Sequence, residues 1–231
     1  MHPMRRRPFL LLPTLLSAPA LAPPALAPPA LAQRAPAPPP AAPVPMPSAA
    51  EVAQVEAYLN AIRTLRARFL QVDARGRVAE GTLFMQRPGR MRFEYDPPSP
   101  ILIVADGTTV TYQDKQLGQI TSVFLGQTPL SIILAERVRL SGDVTVLRGE
   151  RFPGQAQGGR LEIWLARTAN PREGTLILSF ALDPFALAQW RVIDAQAQEV
   201  RVTLSRVERD IPLAASLFRA PQQQPTQPGG G

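Results

Sequence analysis

Hydrophobic and polar positions change their period several times along this chain. From Ser48 the pattern is helical. Ser48 and Glu51 have the spacing of a capping box, and Val52, Val55, Leu59, Ile62 and Leu65 recur at three- and four-residue steps. Together they predict one amphipathic helix over about residues 49–66. After Arg68 the period falls to two. Candidate strands are Phe69 to Val72, Thr82 to Gln86, Arg90 to Tyr95, Ile101 to Ala105, Thr109 to Tyr112 and Gln119 to Val123. In the third, charged and apolar residues alternate strictly, so Met91, Phe93 and Tyr95 share one face. By the same parity Leu83, Met85 and Arg87 share a face, and Asp106-Gly107 reads as a hairpin turn. Thr128-Pro129 predicts a short helix with Thr128 as N-cap, its apolar side made of Leu130, Ile133 and Leu134. Further strands are expected over about 144–148, 160–166, 175–182, 187–194 and 199–207, with buried faces such as Leu161/Ile163/Leu165 and Leu176/Leu178/Phe180/Leu182. The fold class that follows is mainly β: a curved antiparallel sheet with helices against its concave side.

The first 47 residues do not belong to that pattern, since they hold 15 of the 27 prolines. Arg5 to Arg7, an apolar run from Phe9 to Leu16 and then small residues read as a secretory signal peptide. Ala-Leu-Ala triplets end at Ala22, Ala27 and Ala32. Proline follows the first two and hinders cleavage, so the expected cut lies between Ala32 and Gln33. Arg6-Arg7-Pro8-Phe9-Leu10 also resembles a twin-arginine core, although a plain Sec route is the simpler expectation. The organisation expected is a leader at 1–32, a Pro/Ala-rich linker at 33–47, one folded domain at 48–221 and a disordered tail at 222–231. A cleaved leader and a chain without cysteine place the product in the bacterial envelope, as a soluble periplasmic protein.

Composition removes much of enzymology. Cysteine is absent and the single histidine, His2, lies in the leader. Thiol chemistry, Ser-His-Asp catalysis and the usual zinc ligand sets are therefore not expected. No phosphate-binding G-x-x-x-x-G-K-[ST] loop occurs, no cofactor or metal is implied, and the enzyme reading is set aside. The formal charge of +7 comes almost entirely from arginine, Lys115 being the only lysine. The arginines are scattered and interleaved with acids, as in Arg90, Arg92, Glu94 and Asp96. Without a cluster of stacking aromatics, nucleic acid is not the expected partner. Glu94 and Asp96 form no evident catalytic pair, because Glu94 points away from Met91, Phe93 and Tyr95.

A longer stretch is more specific. Gly81-Thr82-Leu83-Phe84-Met85-Gln86-Arg87-Pro88-Gly89-Arg90-Met91-Arg92-Phe93-Glu94-Tyr95 resembles the G-x-L-x-x-x-R-P-x-x-x-x-(aromatic)-x-(Tyr/Met) signature of the periplasmic outer-membrane lipoprotein carriers of the LolA type. Other landmarks follow in order: Leu65, Ala67, Phe69 and Gln71 before it, then Pro98, Ile101 to Ala105, Asp106-Gly107, Tyr112, Thr128-Pro129-Leu130, and finally Phe218 and Pro221. The resemblance covers about residues 50–221. Where the family often has Trp, this chain has Phe84, Phe93 or Thr111, which alters the shape of a pocket without abolishing it.

The resemblance implies an unclosed antiparallel β-barrel with an α-helical lid over an apolar cavity. It further implies a chaperone that takes acylated lipoproteins from an inner-membrane lipoprotein-releasing ABC transporter to an outer-membrane acceptor, protein or lipid. Arg87 corresponds to the family arginine that bonds the lid helices and holds the empty cavity shut. The acyl chains would lie against Leu83, Met85, Met91, Phe93, Tyr95, Ile103, Leu130, Ile133 and Leu134, in a monomer. Two other readings use the same scaffold: a lipoprotein- or lipid-sensing regulatory module, and a carrier of another envelope lipid.

Overall fold

A computed structural model describes residues 44–154 and 158–222. The expected leader, most of the expected Pro/Ala linker and all of the expected tail beyond Gln222 lie outside the described residues. Helix α1 spans Ala49–Ala61, and its N-terminus carries the expected capping box: the Glu51 amide donates to Ser48 Oγ, and the Ser48 amide donates to Glu51 Oε2. Eleven strands follow: β1 Thr64–Val72, β2 Val78–Gln86, β3 Arg90–Tyr95, β4 Ile101–Asp106, β5 Thr109–Asp114, β6 Gln119–Phe124, β7 Val144–Phe152, β8 Arg160–Arg167, β9 Gly174–Leu182, β10 Phe185–Asp194 and β11 Glu199–Arg209. Between β6 and β7 come a 3-10 turn at Leu125–Gln127 and the single-turn helix α2, Ser131–Leu134.

All eleven strands form one antiparallel sheet in the order β6-β5-β4-β3-β2-β1-β11-β10-β9-β8-β7. The first strand therefore sits at the centre, paired with both β2 and the last strand. Strands β6 and β7 end the sheet without pairing to each other, so the barrel is unclosed. Its inner face can be followed across the register. Leu65 opposes Met85, Met85 opposes Met91 and Met91 opposes Ala105, while Leu83 opposes Phe93 and Phe93 opposes Ile103. On the other half, Val202 opposes Trp190, Trp190 opposes Leu178 and Leu178 opposes Ile163. These residues and Val55 and Leu59 of α1 belong to one apolar core.

Two sequence expectations need correction. The helix ends at Ala61, not near residue 66, and β1 starts at Thr64. Leu65 satisfies both periods: it continues the helical stripe, but it also begins the alternation Leu65, Ala67, Phe69 that the sheet buries. Pairing at the sheet centre decides in favour of the strand. Thr128 is not a helix cap. Its hydroxyl donates back to the Leu125 carbonyl at 2.9 Å, and α2 begins three residues later. That single turn is apolar on more than one side, because Ile132 is buried along with Ile133 and Leu134.

The outer face is covered too. After β11 the chain crosses β3 and β4, where the 3-10 turn Ala215–Phe218 buries Phe218, and the Leu217 carbonyl accepts from Arg92 Nη1 at 3.0 Å. Leu102, Val104 and Thr111 are buried on this outer side. Phe84 shares the outer face, opposite Arg66 and Arg92, so it and Thr111 do not shape the inner hollow. Elsewhere outward arginines find carboxylates, as in Arg66–Glu208, Arg160–Glu162 and Arg201–Glu199.

Gly81 lets the centre of the sheet close around aromatic rings. A Cβ there would stand 2.1 Å from the Glu94 carbonyl oxygen and 2.6 Å from Phe69 Cε1. Gly81→Ala must therefore push apart a strand pair or displace a buried ring, at a cost of about 3 kcal/mol. Gly126, whose added Cβ would meet only Arg167 Nη1 at 3.7 Å, is the comparison. Urea denaturation is expected to show a large loss for Gly81→Ala and a change within about 0.5 kcal/mol for Gly126→Ala. Equal losses would contradict the steric account.

Candidate functional site

The turn between β2 and β3 is where the sheet meets the two helices. Parity along β2 sends Leu83, Met85 and Arg87 inward, and all three are buried. Arg87 Nε donates to the Ile62 carbonyl at 2.9 Å and Nη2 to the same oxygen at 2.7 Å. Nη2 also donates to the Leu59 carbonyl, and Nη1 reaches the Ala135 carbonyl at 3.4 Å. Leu59 and Ile62 belong to the C-terminal end of α1, and Ala135 directly follows α2. One guanidinium thus bonds both helical pieces from the sheet below. The backbone of the same turn adds to it: the Arg87 amide donates to the Arg63 carbonyl at 2.9 Å and the Gly89 amide to the Leu134 carbonyl at 2.8 Å.

The electrostatics of this arrangement suit a junction that is stable but not rigid. The last turn of α1 has no basic residue of its own, and its terminal carbonyls carry the negative end of the helix dipole. Arg87 supplies a cation and donors to carbonyls of this last turn, of which the Leu59 carbonyl also accepts from the Ile62 amide at 3.3 Å. It has no carboxylate partner among the described residues. Burial, and then the nearby positive charge of Arg63, pull the Arg87 guanidinium below its ordinary pKa. A buried cation held only by dipoles is expensive to keep, so its bonds offset a desolvation cost as well as holding the helices.

Helix α1 is also tied to the segment after α2. The Asn60 side-chain amide donates to the Val138 carbonyl at 2.9 Å and accepts from the Val138 amide at 2.9 Å. Glu56 Oε1 accepts from the Leu140 amide at 2.6 Å. Val138 and Leu140 turn their side chains into the core. The two pieces of the cover are therefore joined to each other as well as to Arg87.

Beneath them lies the apolar hollow. Leu59, Ile62, Leu65, Leu83, Met85, Ile133, Leu187, Trp190 and Leu204 surround a remaining space of only about 20 Å³, with Arg87 at its edge. That is about enough for one water molecule, far too little for an acyl chain. Of the residues expected from sequence, Leu83, Met85, Arg87 and Ile133 touch this space directly. Met91, Phe93 and Leu134 are buried in the same core, and Tyr95, Ile103 and Leu130 pack on it half-buried. Phe93 stands edge-on to Phe69 at 5.2 Å and to Trp190 at 6.2 Å. The polar end of Tyr95 is satisfied as well, because its hydroxyl donates to Gln71 Oε1 at 2.7 Å. Burial also pushes the Tyr95 phenol well above its ordinary pKa, so it stays neutral.

Several residues of the site escape a reading of the sequence. Leu187 and Trp190 both face inward although they are three apart, because a bulge between Leu187 and Gln189 shifts the register. Asn60 and Glu56 find partners 78 and 84 residues away, for which no local signal exists. Glu94 pairs with Arg92 and Asp96 with Arg68, so these carboxylates do not converge. Among the described residues no group of acidic or histidine side chains could hold a metal ion.

The chain is similar in sequence to known proteins. A family model described as outer membrane lipoprotein carrier protein LolA covers residues 60–221. The outer-membrane lipoprotein carrier protein of Chromobacterium violaceum is 29% identical over 178 residues, spanning 74% of this chain and 82% of that protein. The protein of the same name from Methylococcus capsulatus is 29% identical over 174 residues, 72% of this chain and 81% of that one. Among solved structures, a LolA superfamily protein from Nitrosomonas europaea aligns with 73% of this chain and 97% of its own, at 10% identity and a TM-score of 0.40. The matched span begins in the last turn of α1 and takes in every strand and the Arg87 turn. The chain belongs to the LolA family of outer membrane lipoprotein carrier proteins.

Proposed function

We propose that the chain ferries acylated lipoproteins through the periplasm, and that it holds their acyl chains in the hollow under α1 and the 131–140 segment. The observation that supports this most is the state of the hollow. It is apolar, almost filled, and covered by two helical pieces that converge on one buried arginine. Each methylene moved from water into such a site is worth roughly 0.8 kcal/mol, so a lipoprotein with several acyl chains cannot cross water unaided. A carrier must match that burial and still release its load. Here the cover must lift to make room, and lifting breaks the Arg87 bonds. Part of the binding energy is spent on opening, which lowers net affinity without shrinking the hollow.

The partners that go with this function are an inner-membrane ABC transporter that releases lipoproteins and an acceptor at the outer membrane. The chain itself acts as a monomer and performs no covalent chemistry. A leader ending at Ala32 would deliver it to the periplasm. The direct test is a release assay: the mature chain is added to spheroplasts of its own source, and newly made lipoproteins are followed. Release as a soluble one-to-one complex that later loads outer-membrane vesicles is expected. No release while the transporter is active would contradict the proposal and turn attention to other envelope lipids or a membrane-sensor partner.

Two substitutions probe the parts separately. Arg87→Leu removes the bonds to Leu59, Ile62 and Ala135, so the closed form loses its advantage over the loaded one. Acyl-lipopeptide binding should persist, while transfer to acceptor vesicles slows by about tenfold or more. Transfer at the parent rate would remove Arg87 from its proposed role as latch. Phe93→Glu places a carboxylate against Phe69 and Trp190, and this costs several kcal/mol unless the acid is protonated. Loading measured by fluorescent lipopeptide uptake is expected to collapse, whereas Phe93→Leu retains most of it. Normal uptake by Phe93→Glu would show that acyl chains lie elsewhere.

A further inference from the structure

The seam between α1 and the segment after α2 has an outer side that the carrier reading leaves unused. Arg63, Arg137 and Arg139 stand there around one open depression, with Asn60 and Glu136. All three arginines are exposed, and none has a carboxylate within ion-pair distance among the described residues. This is unlike the outer face of the sheet, where Arg66, Arg92, Arg148, Arg160, Arg191 and Arg201 are each paired with a glutamate.

The backbone that presents these arginines is pinned. The Arg63 amide donates to Asp210 Oδ1 at 3.3 Å, and the Arg63 carbonyl accepts from the Arg87 amide. Arg137 and Arg139 alternate with Val138 and Leu140, whose amides are held by Asn60 and Glu56 and whose side chains are buried. Inward Val138 and Leu140 force Arg137 and Arg139 outward. The three guanidiniums therefore flank, from both sides, the seam that must part if the cover lifts.

We propose that this seam is a docking surface for anionic phospholipid headgroups, which sets the mouth of the hollow against an anionic membrane face. Guanidinium forks suit phosphate oxygens, and an open array of unpaired cations fits a plane of headgroups better than one enclosed ion. The location fits too. Acyl chains hang directly below their headgroups, as the hollow lies directly below this seam. The proposal deepens the carrier reading and rests on it for what passes through the mouth.

The test is co-sedimentation of the protein recovered from the periplasm with vesicles of mixed phosphatidylethanolamine and phosphatidylglycerol, or of zwitterionic lipid alone. Binding is expected only to the anionic vesicles and should weaken as salt rises. The triple variant Arg63→Gln/Arg137→Gln/Arg139→Gln should lose about fivefold per arginine, on the order of 100-fold together. Arg75→Gln/Arg172→Gln/Arg219→Gln removes the same charge from exposed arginines at separate turns, which have no ion-pair partner among the described residues, and should bind nearly as the parent. An equal loss in both variants would reduce the effect to net charge and overturn the proposal, as would no vesicle binding by the parent. In that last outcome, docking on an acidic protein surface would be the alternative. Uptake of a soluble fluorescent lipopeptide, measured in parallel without vesicles, tests the carrier reading by itself. The seam variant should take it up normally, and failure of the parent to do so would sink the carrier reading whatever the vesicles show.

Discussion

A cation buried under a helix end, with only carbonyl oxygens to hold it, is the feature on which the architecture around the hollow turns. Arg87 is buried, and among the described residues no carboxylate neutralises it. Its charge is tolerated because α1 ends just above it and offers the Leu59 and Ile62 carbonyls. The strand places the guanidinium, the helix places the acceptors, and each would be costly without the other. This is why the cover can rest on an almost featureless apolar surface in a defined position. Hydrophobic contact alone is non-directional and would let α1 slide.

The same junction separates stability from occupancy. The sheet is held by eleven paired strands and by cores on both faces, none of which need move in the proposed lifting of the cover. The cover is held by its buried apolar side chains and by a handful of polar contacts: those of Arg87, the Gly89 amide to Leu134, the Asn60 and Glu56 bonds, and the Glu51–Arg151 ion pair that ties α1 to β7. In the proposed cycle the seam between α1 and residues 135–140 parts, so the Asn60 and Glu56 bonds break and re-form together with those of Arg87. Met85 and Met91 in the wall would let it adapt to acyl chains of varied shape in the proposed cycle, since thioether side chains bend where branched ones do not.

Much of the fold was legible because strand periodicity is local. Arg90 to Tyr95 declares its buried face in six residues, and Leu83, Met85 and Arg87 declare a shared one by parity alone. What was not legible depends on distant partners or on irregularities. Leu65 fits a helix and a strand equally well until β2 and β11 pair on either side of it. Trp190 is hidden by a bulge, and Asn60 by a partner 78 residues away. The outer cover over Leu102 and Val104 depends on Phe218, more than a hundred residues further on. For Arg87 the sequence shows that it points inward. Only the structure shows that Leu59, Ile62 and Ala135 converge on it.

In the proposed cycle acyl chains enter the hollow by lifting α1 from Arg87 while the sheet stays as it is. Because the chain has no cysteine, spin labels can be placed at will, one at exposed Gln54 on α1 and one at exposed Ser205 on β11. The interlabel distance distribution should be narrow in the empty protein and should shift when a lipopeptide binds, and Arg87→Leu should show part of that shift without ligand. An unchanged distribution with the lipopeptide demonstrably bound would contradict the account.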